Sequence, residues 1–148
     1  MKLKRLFFNS LMLLFASVFL CSSDSGCEGF TEEEIDYEYT LHASPSSLSI
    51  SAYGGHYTFK VWMTNKKGDK VKGKVKVSSI DQGTNLTFDD GKYFSTYYYF
   101  TSSEPVATVG FTIDKNSYKE RNVDFEISST SNDAKSIRVN SKQSATIF

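Results

Sequence analysis

Apolar and polar residues alternate along most of this chain from residue 35 onward. The pattern is clearest where Tyr57, Phe59, Val61 and Met63 occupy every second position and His, Thr, Lys and Trp fall between them. A two-residue period places successive side chains on opposite faces of an extended strand, so one face is buried. The same alternation recurs in residues 35–42, 48–50, 71–77, 107–113, 123–127 and 137–139. We therefore expect strands throughout this part of the chain and no helix.

Turn-forming residues separate these predicted strands. Gly54 and Gly55 are expected to reverse the chain, and the segment from Asn65 to Asp69 has the composition of a hairpin turn. Short, regularly spaced strands with turns between them are typical of an antiparallel sandwich of the immunoglobulin-like class, and a small barrel is the alternative. We predict an all-β protein, with an immunoglobulin-like β-sandwich over residues 35–148 preceded by a signal peptide and an acidic tether.

Several segments of the predicted sandwich match the pattern of a known family. They are residues 44–55, the strand that carries Phe59 and Val61, 111–116, 121–127, and 137–139 with Gln143. Together they resemble the BACON domain, an immunoglobulin-like family associated with Bacteroidota. The resemblance extends roughly from residue 40 to residue 143. It implies the immunoglobulin-like fold and, as an expectation in that family, carbohydrate binding at the bacterial cell envelope.

The first two dozen residues have the composition of an export signal. Three basic residues lie within the first five positions, an apolar run extends from Leu6 to Leu20, and a small polar stretch follows from Ser22 to Gly26. This tripartite pattern predicts a signal peptide over residues 1–21. The run is shorter than the roughly 20 apolar residues that a membrane-spanning helix needs. We therefore expect the protein to be exported.

Cys21 is a candidate site of lipid attachment. The sequence from Val18 to Cys21 resembles the lipobox of bacterial lipoproteins, which implies cleavage before this cysteine and anchoring in the outer membrane. Cleavage near Ser23 would instead release a secreted or periplasmic protein. Without lipidation, Cys21 and Cys27 could form a disulfide, because an exported protein meets an oxidising environment.

Charge is distributed unevenly along the chain. Residues 24–39 contain seven acidic and no basic residues, which predicts an extended acidic tether over residues 22–34. From residue 40 onward there are 14 basic and 10 acidic residues, which leaves an excess of four positive charges. The whole chain has a net charge of +0 and is 39% hydrophobic, so it is neither a disordered chain nor a nucleic-acid-binding protein by composition.

Aromatic residues on polar strand faces are candidate glycan-binding groups. Trp62 falls on the face opposite Phe59 and Val61, where it could stack on a sugar ring or be covered by a neighbouring segment. The aromatic run near residue 97 raises the same choice between ligand binding and packing. If Phe94, Tyr98 and Phe100 point into the core, the alternating residues point outward. Those residues are Tyr93, Tyr97 and Tyr99.

Lysines alternate with valines in the segment that follows Asp69. Lys72 and Lys74, with Lys70 and Lys76, form a predicted one-faced stripe. Such a stripe could attract sulfated or sialylated glycans. It could equally be a solvated strand edge that lysine protects from aggregation.

No catalytic or metal-binding pattern emerges from the sequence. His42 and His56 are predicted on strands without a nearby nucleophile motif, and the cysteines and histidines lack the paired spacing of metal ligands. We expect no enzymatic activity, no metal and no cofactor. The predicted function is an envelope binding or adhesion module that recognises a glycan or an envelope protein. The alternative is a structural subunit of an envelope or fimbrial assembly that uses exposed strand edges.

Overall fold

The computed structural model describes residues 35–81 and 85–146. The predicted signal peptide 1–21 with Cys21, and the predicted tether 22–34, lie outside these residues. Ten strands and no helix occur in the described part, which confirms the all-β prediction. They are β1 (Tyr39–Ser44), β2 (Ser47–Ile50), β3 (Gly55–Asn65), β4 (Gly73–Ser79), β5 (Leu86–Phe88), β6 (Ser95–Phe100), β7 (Val106–Ile113), β8 (Arg121–Asn122), β9 (Phe125–Ser129) and β10 (Ile137–Gln143). Within the described ranges, no helix could span a membrane.

The strands form two sheets that face each other. The first sheet has the order β1-β3-β7-β5, and the second has the order β2-β10-β9-β4-β6, with β8 paired to β10. This arrangement confirms the predicted sandwich. One pair departs from the antiparallel expectation, because β2 runs parallel to β10. The departure follows from the chain path: β1 ends in the first sheet at Ser44, and Pro45 and Ser46 lead directly to β2 in the second.

The hydrophobic core lies between the two sheets. On β3 the alternation is as predicted, since Phe59 and Val61 are buried whereas Lys60 is exposed. Phe111 of the first sheet packs against Phe125 of the second, with ring centroids 4.7 Å apart and planes inclined by 52°. Burying each such side chain contributes roughly 1.5–3 kcal/mol, so this aromatic contact is a principal link between the sheets.

A buried glutamine joins three segments at one end of the core. Gln143 of β10 is fully buried, and its Nε2 donates hydrogen bonds to the carbonyl oxygens of Asp114 at 2.8 Å and Ser51 at 3.2 Å. Its Oε1 accepts a hydrogen bond from Arg121 Nε at 2.8 Å. Every polar atom of the amide thus has a partner, which is the condition for burying it without a large energetic cost.

The predicted hairpin turn from Asn65 to Asp69 is present. The N–H of Gly68 donates to the carbonyl of Asn65 at 3.0 Å, and the N–H of Asn65 donates to the carbonyl of Asp69 at 3.0 Å. The turn folds the chain back along β3 as far as Val71, whose N–H donates to the carbonyl of Met63 at 3.0 Å. After Val71 the chain crosses to β4 in the second sheet, so Lys74 and Lys76 lie on the other side of the sandwich.

Candidate functional site

Two tyrosines project from the edge of the second sheet. β6 pairs with β4 and forms one edge of that sheet. Thr96 and Phe100 are buried, whereas Tyr97 and Tyr99 are 45% and 63% exposed. The predicted outward orientation of these two rings is confirmed, and it follows from the strand alternation that buries their neighbours.

Lys74 lies against both tyrosine rings. In the β4–β6 pairing, Lys74 is the register partner of Tyr99, and Lys76 is the partner of Tyr97. The Nζ atom of Lys74 is 4.5 Å from the ring centroid of Tyr97 and 5.1 Å from that of Tyr99. These are cation–π distances. We call Lys74, Tyr97 and Tyr99 the tyrosine-lysine face; it combines one ammonium group, two phenol hydroxyls and two exposed rings.

The predicted lysine stripe is shorter than expected. β4 begins at Gly73, so Lys74 and Lys76 lie on the strand, but Lys72 lies in the exposed segment that precedes it. Lys70 bridges to Thr64 beside β3 instead. The stripe is divided because the residues after the turn still pair with β3 before the chain crosses to the second sheet.

Trp62 lies away from the tyrosine-lysine face. It is half-buried on the outer side of the first sheet, where the ring of His42 stacks on it with centroids 5.3 Å apart and planes 10° from parallel. The Nζ atom of Lys70 is 6.0 Å from the Trp62 ring. Because β3 and β6 belong to different sheets, Trp62, Tyr97 and Tyr99 do not form one surface. Alternation identified the outward face of each strand but not the sheet that each strand joins.

Tyr93 lies just before β6 and lines a cleft. The condition that Phe94 points into the core is not met, because its side chain is 72% exposed. The carbonyl of Phe94 still accepts a hydrogen bond from the N–H of Ser79 at 2.9 Å, so the backbone follows β4 while the ring lies outside the packed interior. Both aromatic residues line a cleft of about 500 Å³. Its lining also includes Asp81, Asn85, Thr87 and Asp114, none of which the sequence singled out.

The loop before β6 is held by Asp90. Its carboxylate accepts hydrogen bonds from the hydroxyl of Thr96 and forms an ion pair with Lys92 at 2.9 Å. The Thr96 hydrogen bond is the main cause that lowers the pKa of Asp90. On the inward side of β6, burial raises the pKa of Tyr98 to about 12. These contacts fix the start of the strand that presents Tyr97 and Tyr99.

The described residues contain no group of three or more His, Cys, Asp or Glu side chains that could hold a metal ion. The ammonium group, phenol hydroxyls and exposed rings of the tyrosine-lysine face can provide electrostatic attraction, hydrogen-bond donation and contact with aromatic rings.

No protein-family model matches the chain, and no curated protein does. Among solved structures, the chain is similar to apo-form Calx CBD1, at 12% identity and a TM-score of 0.53, over 74% of this chain and 98% of that one. It is also similar to a GH5 xyloglucanase of Bacteroides ovatus in complex with a XXXG heptasaccharide, at 19% identity and a TM-score of 0.50, over 72% of this chain.

A third similar structure is that of domains 5–6 of the S-layer protein SbsC, at 17% identity and a TM-score of 0.50, over 73% of this chain and 44% of that one. The chain matches only 19% of the length of the xyloglucanase. At these identities the similarity shows the fold alone, and that fold is the β-sandwich described above.

Proposed function

We propose that this protein is an exported binding module of the cell envelope that recognises acidic glycans through the tyrosine-lysine face. The observation that carries the proposal is the position of the Lys74 ammonium group against the two exposed rings of Tyr97 and Tyr99, at 4.5 and 5.1 Å. The proposal assigns binding to this face and no catalytic step.

The chemistry of the face fits a sulfate or carboxylate group on a sugar. An ammonium group attracts the anion and donates charge-assisted hydrogen bonds to its oxygens. The phenol hydroxyls of Tyr97 and Tyr99 can donate further hydrogen bonds, and their rings offer apolar surface to the sugar C–H groups. Lys76, two residues further along β4 and the register partner of Tyr97, adds a second positive charge. A neutral glycan would use the rings but not the two ammonium groups.

Features outside the tyrosine-lysine face support the proposed location at the cell envelope and the proposed recognition of carbohydrate. The signal-peptide pattern of residues 1–21 and the lipobox resemblance at Cys21 support export and anchoring in the outer membrane. The resemblance to BACON domains supports carbohydrate recognition. The fold is also similar to parts of a xyloglucanase structure with a bound heptasaccharide and of an S-layer protein, which is compatible with a carbohydrate-related or envelope role.

A glycan array tests the proposed function directly. We expect the purified protein to bind sulfated or sialylated glycans more tightly than neutral ones, and to bind them less tightly as salt is raised. Lys74→Gln and Tyr99→Ala should weaken binding about tenfold or more, equivalent to about 1.4 kcal/mol. The matched controls are Lys135→Gln and Tyr118→Ala, which remove an exposed lysine and an exposed tyrosine elsewhere. Binding that prefers neutral glycans, or that the controls weaken equally, would refute the proposal.

A structural role in an envelope assembly is a second candidate, because β6 is an open sheet edge. Its six residues, Ser95–Phe100, include no charged residue, glycine or proline, and all but Ser95 are strong strand formers. Such an edge can accept an added strand from a partner. Slowed hydrogen exchange of the β6 amides in a stoichiometric complex with an envelope protein would favour this role. A protein that stays monomeric and whose β6 amides remain unprotected on cells would count against it.

A further inference from the structure

The cleft beside Tyr93 shares no residue with the tyrosine-lysine face. Its lining comes from both sheets: Ser79 ends β4 of the second sheet, and Thr87 and Thr112 lie on β5 and β7 of the first. Its volume of about 500 Å³ falls within the range of roughly 300–1,000 Å³ that is usual for small-molecule sites. The cleft is thus large enough for a ring-sized ligand.

Two large aromatic side chains line the cleft without being packed into the core. Tyr93 is 63% exposed, and Phe94 is 72% exposed. The strand pattern places Tyr93 on the outer face, but it does not require the ring of Phe94 to meet solvent, since Phe94 has the same parity as the buried Thr96. Exposed aromatic rings at a concave site offer stacking surface for a ligand ring.

The cleft is acidic and rich in hydrogen-bonding groups. Asp81 and Asp114 contribute carboxylates, Asn85 contributes an amide, and none of the described residues that line the cleft is a lysine or arginine. The N–H of Asp124 donates to Asp81 Oδ2 at 2.7 Å, which fixes the orientation of that carboxylate. Ser79 Oγ is buried and has no hydrogen-bond partner among the described residues. A buried hydroxyl without a hydrogen bond lowers the stability of the fold, and a polar group of a ligand could supply the missing bond.

We propose that this cleft binds an amino sugar. The ammonium group of the sugar pairs with the carboxylates of Asp81 and Asp114, its ring stacks on Tyr93 or Phe94, and its hydroxyls bond to Asn85 and the neighbouring hydroxyl groups. The two carboxylates repel an anionic ligand, so the cleft and the tyrosine-lysine face select opposite charges. A lysine side chain could pair with the carboxylate of Asp114 but would offer no hydroxyl groups to Asn85 and the neighbouring hydroxyl groups. The inference does not depend on the proposed function of the tyrosine-lysine face.

Calorimetric titration of the purified protein with an oligosaccharide of glucosamine tests this inference. We expect measurable binding that Asp114→Asn and Tyr93→Ala each weaken about tenfold or more. Glu126→Gln and Tyr118→Ala are the matched controls, because they remove an exposed carboxylate and an exposed tyrosine outside the cleft, and they should leave the affinity unchanged. Lys74→Gln should also leave it unchanged, which separates this result from that of the acidic-glycan experiment.

Two further probes distinguish the parts of the ligand. The N-acetylated oligosaccharide has the same rings without the positive charges, and trilysine has the charges without the rings. We expect both to bind about tenfold more weakly than the glucosamine oligosaccharide. Equal binding of the N-acetylated sugar would overturn the role of the carboxylates, and equal binding of trilysine would overturn the assignment to a sugar. No binding of the glucosamine oligosaccharide would overturn the inference as a whole.

Discussion

The backbone conformation and the close contact at position 54 both require glycine there. Gly54 has a φ of +75°, and a Cβ atom there would lie 2.2 Å from the carbonyl oxygen of Ile113. Gly91 has a similar φ of +81°, but a Cβ atom would meet nothing within 4 Å. The two glycines therefore separate the cost of the backbone conformation from the cost of a steric clash.

We expect Gly54→Ala to destabilise the protein more than Gly91→Ala. The left-handed conformation costs a non-glycine residue about 1–3 kcal/mol at either position, and the clash adds to that cost only at position 54. Urea unfolding of the two variants measures the difference in the free energy of unfolding. Equal losses would show that the chain at residue 54 shifts to accept the methyl group.

The phenol of Tyr98 gives the second prediction at this scale. Burial raises its pKa from 10.0 to about 12, with the nearby Asp90 carboxylate as a further cause. The folded state thus favours the neutral phenol. The contribution of the Tyr98 phenol to the free energy of unfolding is fully present below pH 10 and is lost as the pH rises toward about 12. In an ultraviolet titration, Tyr98→Phe should remove a phenolate that forms near pH 12. An unchanged titration curve in that region would contradict the burial of this ring.

The sequence predicted which face of a strand most side chains point to, but it predicted less well where those side chains lie in the fold. Alternation correctly placed Tyr97 and Tyr99 on an outer face. It did not predict the exposure of Phe94, whose backbone still bonds to Ser79 of β4 while its ring lies outside the packed interior. It also could not find Asp81 or Asp114, since a cleft between two sheets depends on contacts distant in sequence.

At the scale of strands, Gln143 connects β10 to two loops. Gln143→Ala would leave the carbonyls of Ser51 and Asp114 without this donor and Arg121 Nε without its acceptor. We expect a loss of about 1–3 kcal/mol in the free energy of unfolding for each buried group left unpaired. Chemical unfolding measures the loss.

Ser144→Ala is the control for this prediction, because Ser144 follows directly in the chain and is exposed. It should leave the free energy of unfolding nearly unchanged. A Gln143→Ala variant as stable as this control would show that water replaces the amide without cost.

The positions of the strands could be predicted from the sequence, but their pairing into two sheets could not. The period of two residues identified each strand from its own side chains, but the choice of partner depends on where the chain crosses the core. The predicted hairpin turn from Asn65 to Asp69 is present, but the chain follows β3 only to Val71 and then crosses from the first sheet to the second. For this reason Trp62 and Lys74, only twelve residues apart, lie on different sheets.

At the scale of the whole molecule, lipid attachment at Cys21 remains a prediction. We expect the protein to fractionate with membranes when expressed in a bacterium with a lipoprotein pathway, and Cys21→Ser to release it. Mass spectrometry should find acyl chains on Cys21. Cys27→Ser is the control, and release by that variant alone would contradict the assignment of the anchor to Cys21.

The net charge of the molecule conceals two opposed regions. Seven acidic residues between positions 24 and 39 balance both the excess of four positive charges after them and the three basic residues at the start of the chain. The positive charge relevant to glycan binding is therefore local, at Lys74 and Lys76 on β4, rather than a property of the protein as a whole. Raising the salt concentration should weaken binding at this face for the same reason.

The most direct test of the account is to map a bound acidic glycan onto the protein by NMR. A sulfated oligosaccharide is titrated into the ¹⁵N-labelled protein, and the backbone amide shifts of all assigned residues are followed. The account predicts that the largest changes fall on Lys74, Lys76, Tyr97 and Tyr99, and that Lys74→Gln shifts their midpoint to a ligand concentration about tenfold higher or more. Changes centred on His42 and Trp62, or none at saturating ligand, would contradict it.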